Sequence, residues 1–165
     1  MTDAKKREWM RVERKELVDT ARTTVAAVLS LLVGRALRLP EGYWSAIATI
    51  IVMQSTLGAA WTISKERLIG TAFGAGMGAV LATYTGQNLA AFGAGVFAMG
   101  MLCAMVRAGQ GAYRYAGITL VIVMMIPHAN SAWMVALHRF VEISVGIAVG
   151  LLVTAVWPEK QPATA

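Results

Sequence analysis

The chain has 165 residues, 57% of them apolar, and a formal net charge of +6 with only 15% charged residues. This composition excludes a soluble domain with a polar surface and indicates a single membrane domain. The positive charge does not indicate a nucleic-acid partner, because many of the cations precede the first apolar segment, as in membrane proteins that contact anionic lipid.

Residues 1–20 are predicted to form a charged helix with a thin apolar stripe, lying in the cytoplasmic interface of the bilayer. An arm that docks a partner protein is the alternative. No signal-peptide cleavage pattern is present, so we expect the first apolar segment to remain as a membrane anchor. At the other end, residues 158–165 are predicted to be a cytoplasmic tail.

Six apolar segments lie between residues 21 and 157, and they predict an all-α integral membrane domain with six transmembrane helices. The predicted spans are 21–38, 43–60, 68–86, 89–106, 113–127 and 135–157. The loops between them are brief, so none of them holds a soluble domain.

The distribution of Lys and Arg predicts that both termini lie in the cytoplasm. With the N-terminus inside, the cytoplasmic side carries twelve cations: Lys5, Lys6, Arg7, Arg11, Arg14, Lys15, Arg22, Lys65, Arg67, Arg107, Arg114 and Lys160. The outer side carries three: Arg35, Arg38 and Arg139. This bias predicts one fixed orientation in the membrane.

A weak internal repeat predicts that the six helices form two inverted halves of three helices each. A shift of 72 positions aligns Arg67 with Arg139, Gly74 with Gly146, Gly78 with Gly150 and Arg35 with Arg107. A shift of 70 aligns Tyr43 with Tyr113 and Thr49 with Thr119. Inverted repeats are typical of secondary transporters, whose solute site lies near the membrane midplane. The alternative is that glycine-rich apolar helices resemble one another through composition alone.

Four arginines at predicted helix ends are candidates for binding a carboxylate: Arg35, Arg107, Arg114 and Arg139. A guanidinium group matches a carboxylate with two parallel hydrogen bonds, so rings of arginine at both mouths of a pathway would attract organic anions. Alternatively, these long side chains extend out of the hydrocarbon to the lipid headgroups.

Glu142 follows Arg139 by three residues, so the two side chains share a helix face. Charged groups inside a membrane segment are costly and need a reason. Glu142 either neutralises Arg139 in a buried ion pair or carries a proton that couples transport to a proton gradient.

Three aromatic residues and one amide complete the predicted solute site. Tyr43, Trp44 and Tyr113 would stack on an aromatic substrate, and Gln54, in the middle of the second segment, would orient it. The alternatives are an aromatic belt at the membrane interface and a hydrogen bond between helices.

Glycines one helical turn apart predict close helix packing: Gly70, Gly74, Gly78, Gly146 and Gly150. The sequence has no phosphate-binding loop and no nucleophile with a base at a plausible spacing, so we expect no catalytic residues and no enzyme. The two histidines lack a second ligand pair, so we expect no metal site and no cofactor.

Four segments together resemble the membrane domain of the fusaric acid resistance protein-like family, which includes the bacterial aromatic acid exporters. They are G-Y-W-S-A-I-A-T-I-I-V-M-Q-S-T-L-G (42–58), E-R-L-I-G-T-A-F-G-A-G-M-G (66–78), Y-R-Y-A-G-I-T-L-V-I-V (113–123) and R-F-V-E-I-S-V-G (139–146). The order Y-W…M-Q-x-T-L-G, then E-R-x-x-G-T-x-x-G, is the most specific part, and the likeness covers residues 20–158.

The resemblance implies a six-helix inner-membrane unit that exports aromatic or other organic acids, with a distant similarity to plant aluminium-activated malate channels. Many members carry a large cytosolic domain and a second six-helix block, and this sequence has neither, so we expect a homo-oligomer. We therefore expect an exporter of small organic anions, above all aromatic carboxylic acids. Coupling to a proton gradient is the candidate mechanism. A passive anion channel and a non-transporting protein of membrane assembly or envelope integrity are the alternatives.

Overall fold

Six α-helices form the regular structure of the residues that the computed structural model describes, which are 3–54, 57–127 and 130–157, with side chains from residue 16 onward except at residue 57. In chain order they are α1 (Asp3–Ala36), α2 (Tyr43–Met53), α3 (Leu57–Thr85), α4 (Leu89–Met105), α5 (Gly109–Met125) and α6 (Ala132–Val156). These ranges contain no strand, so the prediction of an all-α fold is confirmed for them.

At some helix ends a side chain or a left-handed residue satisfies the terminal peptide groups. Asn88 caps α4 by accepting hydrogen bonds from two backbone N–H groups of its first turn, at 2.9 and 3.1 Å. The ends of α1 and α4 are alike: Arg38 (φ 54°) and Arg107 (φ 51°) are left-handed, and the residue after each donates to a carbonyl five positions back. This shared geometry pairs Arg107 with Arg38, and not with Arg35 as the shift of 72 predicted.

The second predicted span, 43–60, is wrong in its boundaries. α2 ends at Met53, and Gln54 is its C-terminal cap and not a mid-span residue. α3 already includes residues 62–67, which we predicted to be a loop. Lys, Glu and Arg are good helix formers, so the charges that suggested a loop do not interrupt the helix. With 11 residues, α2 is about 16 Å long and covers about half of the hydrocarbon core.

Three helical stretches are long and apolar enough to cross a membrane within the described ranges: Glu16–Ala36, Gly58–Thr85 and Ala132–Val156. α4 and α5 have 17 residues each, which is at the lower limit for a spanning helix. α1 runs unbroken past residue 20, so the helix itself marks no boundary there. The interfacial position of residues 1–20 stays a prediction, and the predicted tail, 158–165, lies outside the described residues.

α3 and α6 cross at the centre of the bundle and run in opposite directions. Ala60, near the start of α3, packs with Ile147, towards the end of α6, whereas Ala79 packs with Val135. Each central helix lies parallel to a partner, α3 to α5 and α6 to α2. α4 packs outside α3 and α5, and α1 packs outside α6 and α2.

The glycines predicted to pack helices lie at the two parallel contacts: Gly70, Gly74 and Gly78 of α3 face α5, and Gly146 and Gly150 of α6 face α2. A Cβ atom on Gly74 would meet the backbone of Ala116, and one on Gly146 would meet the backbone of Ser45. The main chains therefore touch directly, which only residues without a side chain allow.

The helix directions define two ends of the bundle, which we call the Glu41 end and the Arg67 end. Towards the Glu41 end lie three cations: Arg35, Arg38 and Arg139. Towards the Arg67 end lie five: Arg22, Lys65, Arg67, Arg107 and Arg114. For the cations with described side chains, this division coincides with the two sides predicted from the charge distribution.

Candidate functional site

A cavity of about 160 Å³, partly open to the surface, lies between α2, α3, α5 and α6. Its lining residues are Trp44, Ile47, Ile51, Arg67, Thr71, Tyr115, Ile118, Thr119, Ile122, Arg139 and Ile143. Arg67 and Arg139 are only 4% and 2% exposed. A buried guanidinium group is costly unless an anion or a set of acceptors compensates it, so the surroundings of each arginine decide what the cavity can do.

Arg139, on α6, is compensated by two carboxyl groups of the chain itself. Its Nη2 atom contacts Oε2 of Glu41, and its Nη1 atom lies 3.5 Å from Oε2 of Glu142. The guanidinium group also lies over the ring of Trp44, with Cζ 4.3 Å from the ring centroid. Since Glu142 is 1% exposed, this is a buried cluster whose charges come from the protein alone.

Glu41, in the loop between α1 and α2, is held by several hydrogen bonds. Its Oε2 atom accepts from the hydroxyl of Tyr43 at 2.6 Å and from the indole N–H of Trp44 at 3.0 Å. Its backbone N–H donates to Oε1 of Glu142 at 2.9 Å. These contacts tie the loop to both α2 and α6, so the Glu41 carboxylate has a defined position beside Arg139.

Arg67, on α3 towards the other end of the cavity, has different surroundings. Its Cζ atom lies 4.9 Å from the centroid of the Tyr115 ring, but no carboxylate in the described part of the chain forms an ion pair with it. Its Nε atom has no hydrogen-bond partner, and neither has the buried Oγ1 atom of Thr71 one turn later. The carboxylate of Glu66 lies against the start of α5 instead. A buried cation beside an unsatisfied hydroxyl indicates a position for an anion.

The two arginine–aromatic pairs occupy corresponding positions in the chain. Arg139 follows Arg67 by 72 residues, while Tyr115, Ile118 and Ile122 follow Trp44, Ile47 and Ile51 by 71. The glycine contacts agree, because Gly74 meets Ala116 where Gly146 meets Ser45. In these contacts α2 aligns with α5 at a shift of 71, where we predicted 70, so Trp44 matches Tyr115. The inverted repeat itself stays a prediction.

A second, smaller space of about 30 Å³ lies beside Glu142 at the Glu41 end. It is also lined by Pro40, Asn130 and His138. A space of this size holds a water molecule when its walls are polar. Glu142 therefore borders a water-sized space at the Glu41 end.

Two of the predicted site residues line a separate groove of about 630 Å³ between α4 and α5. Arg107 and Tyr113 lie there with apolar neighbours that include Phe97 and Met101. The groove opens on the outer surface of the bundle, and Arg107 and Tyr113 are both exposed. These two residues therefore do not join Arg139 in the central cavity.

The structure brings together only part of the predicted site. Trp44 and Arg139 line the central cavity, and Glu142 contacts Arg139. Tyr43 is 52% exposed and binds Glu41 through its hydroxyl, whereas Gln54 is exposed at the end of α2. The remaining predicted carboxylate ligands are exposed outside the cavity: Arg35, Arg107 and Arg114.

Sequence reasoning misses four residues of this region, Glu41, Arg67, Thr71 and Tyr115. Glu41 and Arg67 resemble the charges that mark loops between apolar segments, and Tyr115 resembles a member of an aromatic belt. The predicted repeat is a signal for two of them, because it aligns Arg67 with Arg139 and, at a shift of 71, Tyr115 with Trp44. Nothing in the sequence marks Glu41 or Thr71.

Comparisons with known proteins confirm the family resemblance. The family described as fusaric acid resistance protein-like matches residues 26–153, more than half of the chain. A protein of Escherichia coli strain K12 named uncharacterized transporter YdhK is 28% identical over 166 residues, which covers 95% of this chain and 25% of the relative. The protein of the same name from Escherichia coli O157:H7 gives the same values. The chain thus spans about a quarter of the length of these curated relatives, and no solved structure matches it.

Proposed function

We propose that this chain, which belongs to the fusaric acid resistance protein-like family, forms the membrane-embedded unit of an exporter of small organic anions, above all aromatic carboxylates. The observation that carries the proposal is Arg67, a residue only 4% exposed that lines the cavity without an ion-pair partner among the described residues. A substrate carboxylate would supply the missing anion through two parallel hydrogen bonds. The transporter name of the Escherichia coli relatives agrees with this function.

The size and lining of the cavity suit a single aromatic ring. Its volume of about 160 Å³ is close to that of an apolar cavity of about 150 Å³ that binds benzene in another protein. Five isoleucines form apolar walls, and Trp44 and Tyr115 add aromatic surfaces near the two arginines. A molecule such as benzoate would place its carboxylate on Arg67 and its ring between the isoleucines.

An inverted repeat of three helices supports a transport role for this cavity, since such repeats place the solute site at their interface. The α3–α5 and α2–α6 contacts use corresponding glycines, and α1 and α4 end in the same geometry. The pairs Arg67–Tyr115 and Arg139–Trp44 approach the cavity from opposite ends, because α3 and α6 run in opposite directions. Opening the cavity first to one end and then to the other would expose the two pairs in turn.

The proposed orientation puts the Arg67 end in the cytoplasm and the Glu41 end outside the bacterial inner membrane. The cations with described side chains favour this orientation by five to three. All six helices would then belong to the membrane domain, with α2 as a half-length helix. The exposed arginines at the two ends, Arg35, Arg107 and Arg114, would attract anions without binding them in the cavity. Association of several copies of the unit stays a prediction.

Glu142 is the candidate for proton coupling because a proton on it changes the net charge around the cavity by one. The charged groups that face Glu142 are Arg139 and Glu41, and His138 lines the water-sized space beside it. In a low-dielectric site one unit of charge has a large effect on the affinity for an anion. Proton binding at Glu142 and anion binding at Arg67 are therefore linked, which is the requirement for coupled transport.

Flux of benzoate in proteoliposomes tests the proposal. We expect saturable flux that depends on an imposed proton gradient, and we expect Glu142→Gln to remove that dependence while the protein stays folded. Saturable flux that ignores the gradient in the wild type would instead support a passive anion channel. A folded protein that carries no organic anion at all would contradict the proposed function.

A further inference from the structure

Glu41 already occupies the carboxylate-binding position beside Arg139, the second arginine of the cavity. Its Oε2 atom contacts Nη2 of Arg139 and accepts hydrogen bonds from Tyr43 at 2.6 Å and Trp44 at 3.0 Å. Three donors around one oxygen make a complete carboxylate-binding position. A substrate carboxylate that approached Arg139 would have to displace a group that the chain holds permanently beside it.

The first arginine has no such internal ligand within the ranges that the structure describes. Nε of Arg67 and Oγ1 of Thr71 are both buried without hydrogen-bond partners, although both residues line the cavity. The cavity therefore offers one open position for a carboxylate, at Arg67, and one position that is filled, at Arg139.

The sum of charges around the cavity also favours a substrate with one carboxylate over a substrate with two. With all groups ionised, Arg67 and Arg139 contribute two positive charges and Glu41 and Glu142 two negative charges, so the sum is zero. A bound monocarboxylate brings the sum to −1, and a dicarboxylate brings it to −2. Inside a low-dielectric cavity the second uncompensated negative charge is strongly unfavourable.

We propose that Glu41 is a specificity-determining residue that restricts the site to molecules with one carboxylate, an inference that rests on the proposed function. Glu41 stands in for a second substrate carboxylate on Arg139. A single-ring dicarboxylate that extends from Arg67 towards Arg139 meets a carboxylate where it needs a free guanidinium group. The aromatic ring is accepted in either case, so the number of carboxylates decides which molecules bind.

Glu41→Gln removes this restriction with a minimal change of shape. The amide oxygen of Gln still accepts hydrogen bonds from Tyr43 and Trp44, but it carries no charge. The sum of charges around the cavity then becomes +1, so a dicarboxylate leaves it at −1, as a monocarboxylate does in the wild type. The neutral amide beside Arg139 also no longer repels a second carboxylate.

Displacement of radiolabelled benzoate from the purified full chain in nanodiscs tests the inference, with unlabelled benzoate and terephthalate as competitors. We expect terephthalate, which has two carboxylates on one ring, to bind the wild type at least about tenfold more weakly than benzoate. In Glu41→Gln we expect its affinity relative to benzoate to rise by about tenfold or more.

Glu66→Gln is the matched control, because it removes the same charge from a residue that does not line the cavity; its ratio of the two affinities should stay at the wild-type value. A wild type that binds benzoate and terephthalate equally, or an unchanged ratio in folded Glu41→Gln, would overturn the inference while leaving the proposed function in place. Failure of the wild type to bind benzoate would instead overturn the proposed function.

Tyr43→Phe is the second variant, for the case that Glu41→Gln does not fold. It removes one of the donors that hold Glu41, so it should shift the ratio of the two affinities in the same direction by less. An unchanged ratio in Tyr43→Phe would overturn the inference.

Discussion

Each half of the cavity contains an arginine over an aromatic ring, but only one of the two arginines has carboxyl groups beside it. Arg139 lies over Trp44 and has two carboxyl groups of the chain beside it. Arg67 lies over Tyr115 and has no ion-pair partner in the described part of the chain. A buried charge whose counter-ions belong to the protein serves the fold, whereas a buried charge without one is available to a ligand. Arg139 thus serves the fold, whereas Arg67 is the arginine that we propose binds the substrate carboxylate.

The largest expected effect is on stability and tests the difference between Arg139 and Arg67. Arg139→Ala leaves the buried carboxyl group of Glu142 and the partly buried one of Glu41 without their cation, so we expect the free energy of unfolding to fall by about 3–5 kcal/mol. Arg67→Ala removes a buried charge that has no partner, so stability should stay the same or rise. Equilibrium unfolding of both variants in detergent micelles measures the two values. Equal losses in the two variants would remove the distinction between the arginines.

Substitutions at the helix contacts should destabilise the protein equally in the two halves, whereas substitutions of the two arginines should not. Gly74→Val and Gly146→Val each place a side chain against the backbone of a neighbouring helix, so we expect each to destabilise by about 1–3 kcal/mol. Gly76→Val is the control, because no atom lies within 4 Å of a Cβ there. Thermal unfolding of the three variants measures the effect. A loss at only one of the two contact glycines would argue against the correspondence of the two halves.

A smaller effect is expected from the hydrogen bond that positions Glu41. Tyr43→Phe removes the donor at 2.6 Å from Oε2, and since Tyr43 is half exposed, we expect a loss of about 1 kcal/mol or less in the free energy of unfolding. Tyr84→Phe is a suitable control, because Tyr84 is 83% exposed. Chemical unfolding curves distinguish the two variants. Identical curves would show that the hydroxyl of Tyr43 contributes nothing to the cluster.

The smallest effect is expected at the exposed arginines of the bundle ends. Arg114→Ala should change benzoate flux by less than about threefold, and the change should shrink as ionic strength rises, because exposed charges act through a screened field. Initial rates at low and high salt measure this. A loss of flux that salt does not affect would place Arg114 in the binding site.

Much of the architecture follows from the sequence, because length and apolar pattern decide it. The presence of six helices and the all-α class are confirmed for the described residues, as is the family, and Glu142 does lie beside Arg139. The break after α2 was missed, since the apolar pattern continues past Gln54 and nothing in the composition marks the cap. Helix ends set by one backbone conformation, as at Arg38, are likewise invisible to hydropathy.

The site was harder to predict than the fold because burial of single charges depends on tertiary packing. Arg67 and Glu41 stand next to loop-like segments in the sequence, yet Arg67 becomes buried because α5 packs against its helix. The predicted repeat paired Tyr43 with Tyr113, in a register one residue shorter than the one that matches Trp44 with Tyr115, the two rings beside the buried arginines. Register is a matter of contacts, which a sequence without its structure does not show.

The affinity of Arg67→Gln for benzoate tests the central claim most directly. Lys65→Gln is the matched control, because Lys65 lies two residues earlier on the same helix, is exposed and packs over Trp61. Equilibrium binding of radiolabelled benzoate to both folded variants in nanodiscs should show affinity at least about tenfold lower for Arg67→Gln and a wild-type value for Lys65→Gln. Wild-type affinity in Arg67→Gln would contradict the account, because the open arginine of the cavity would then hold no carboxylate.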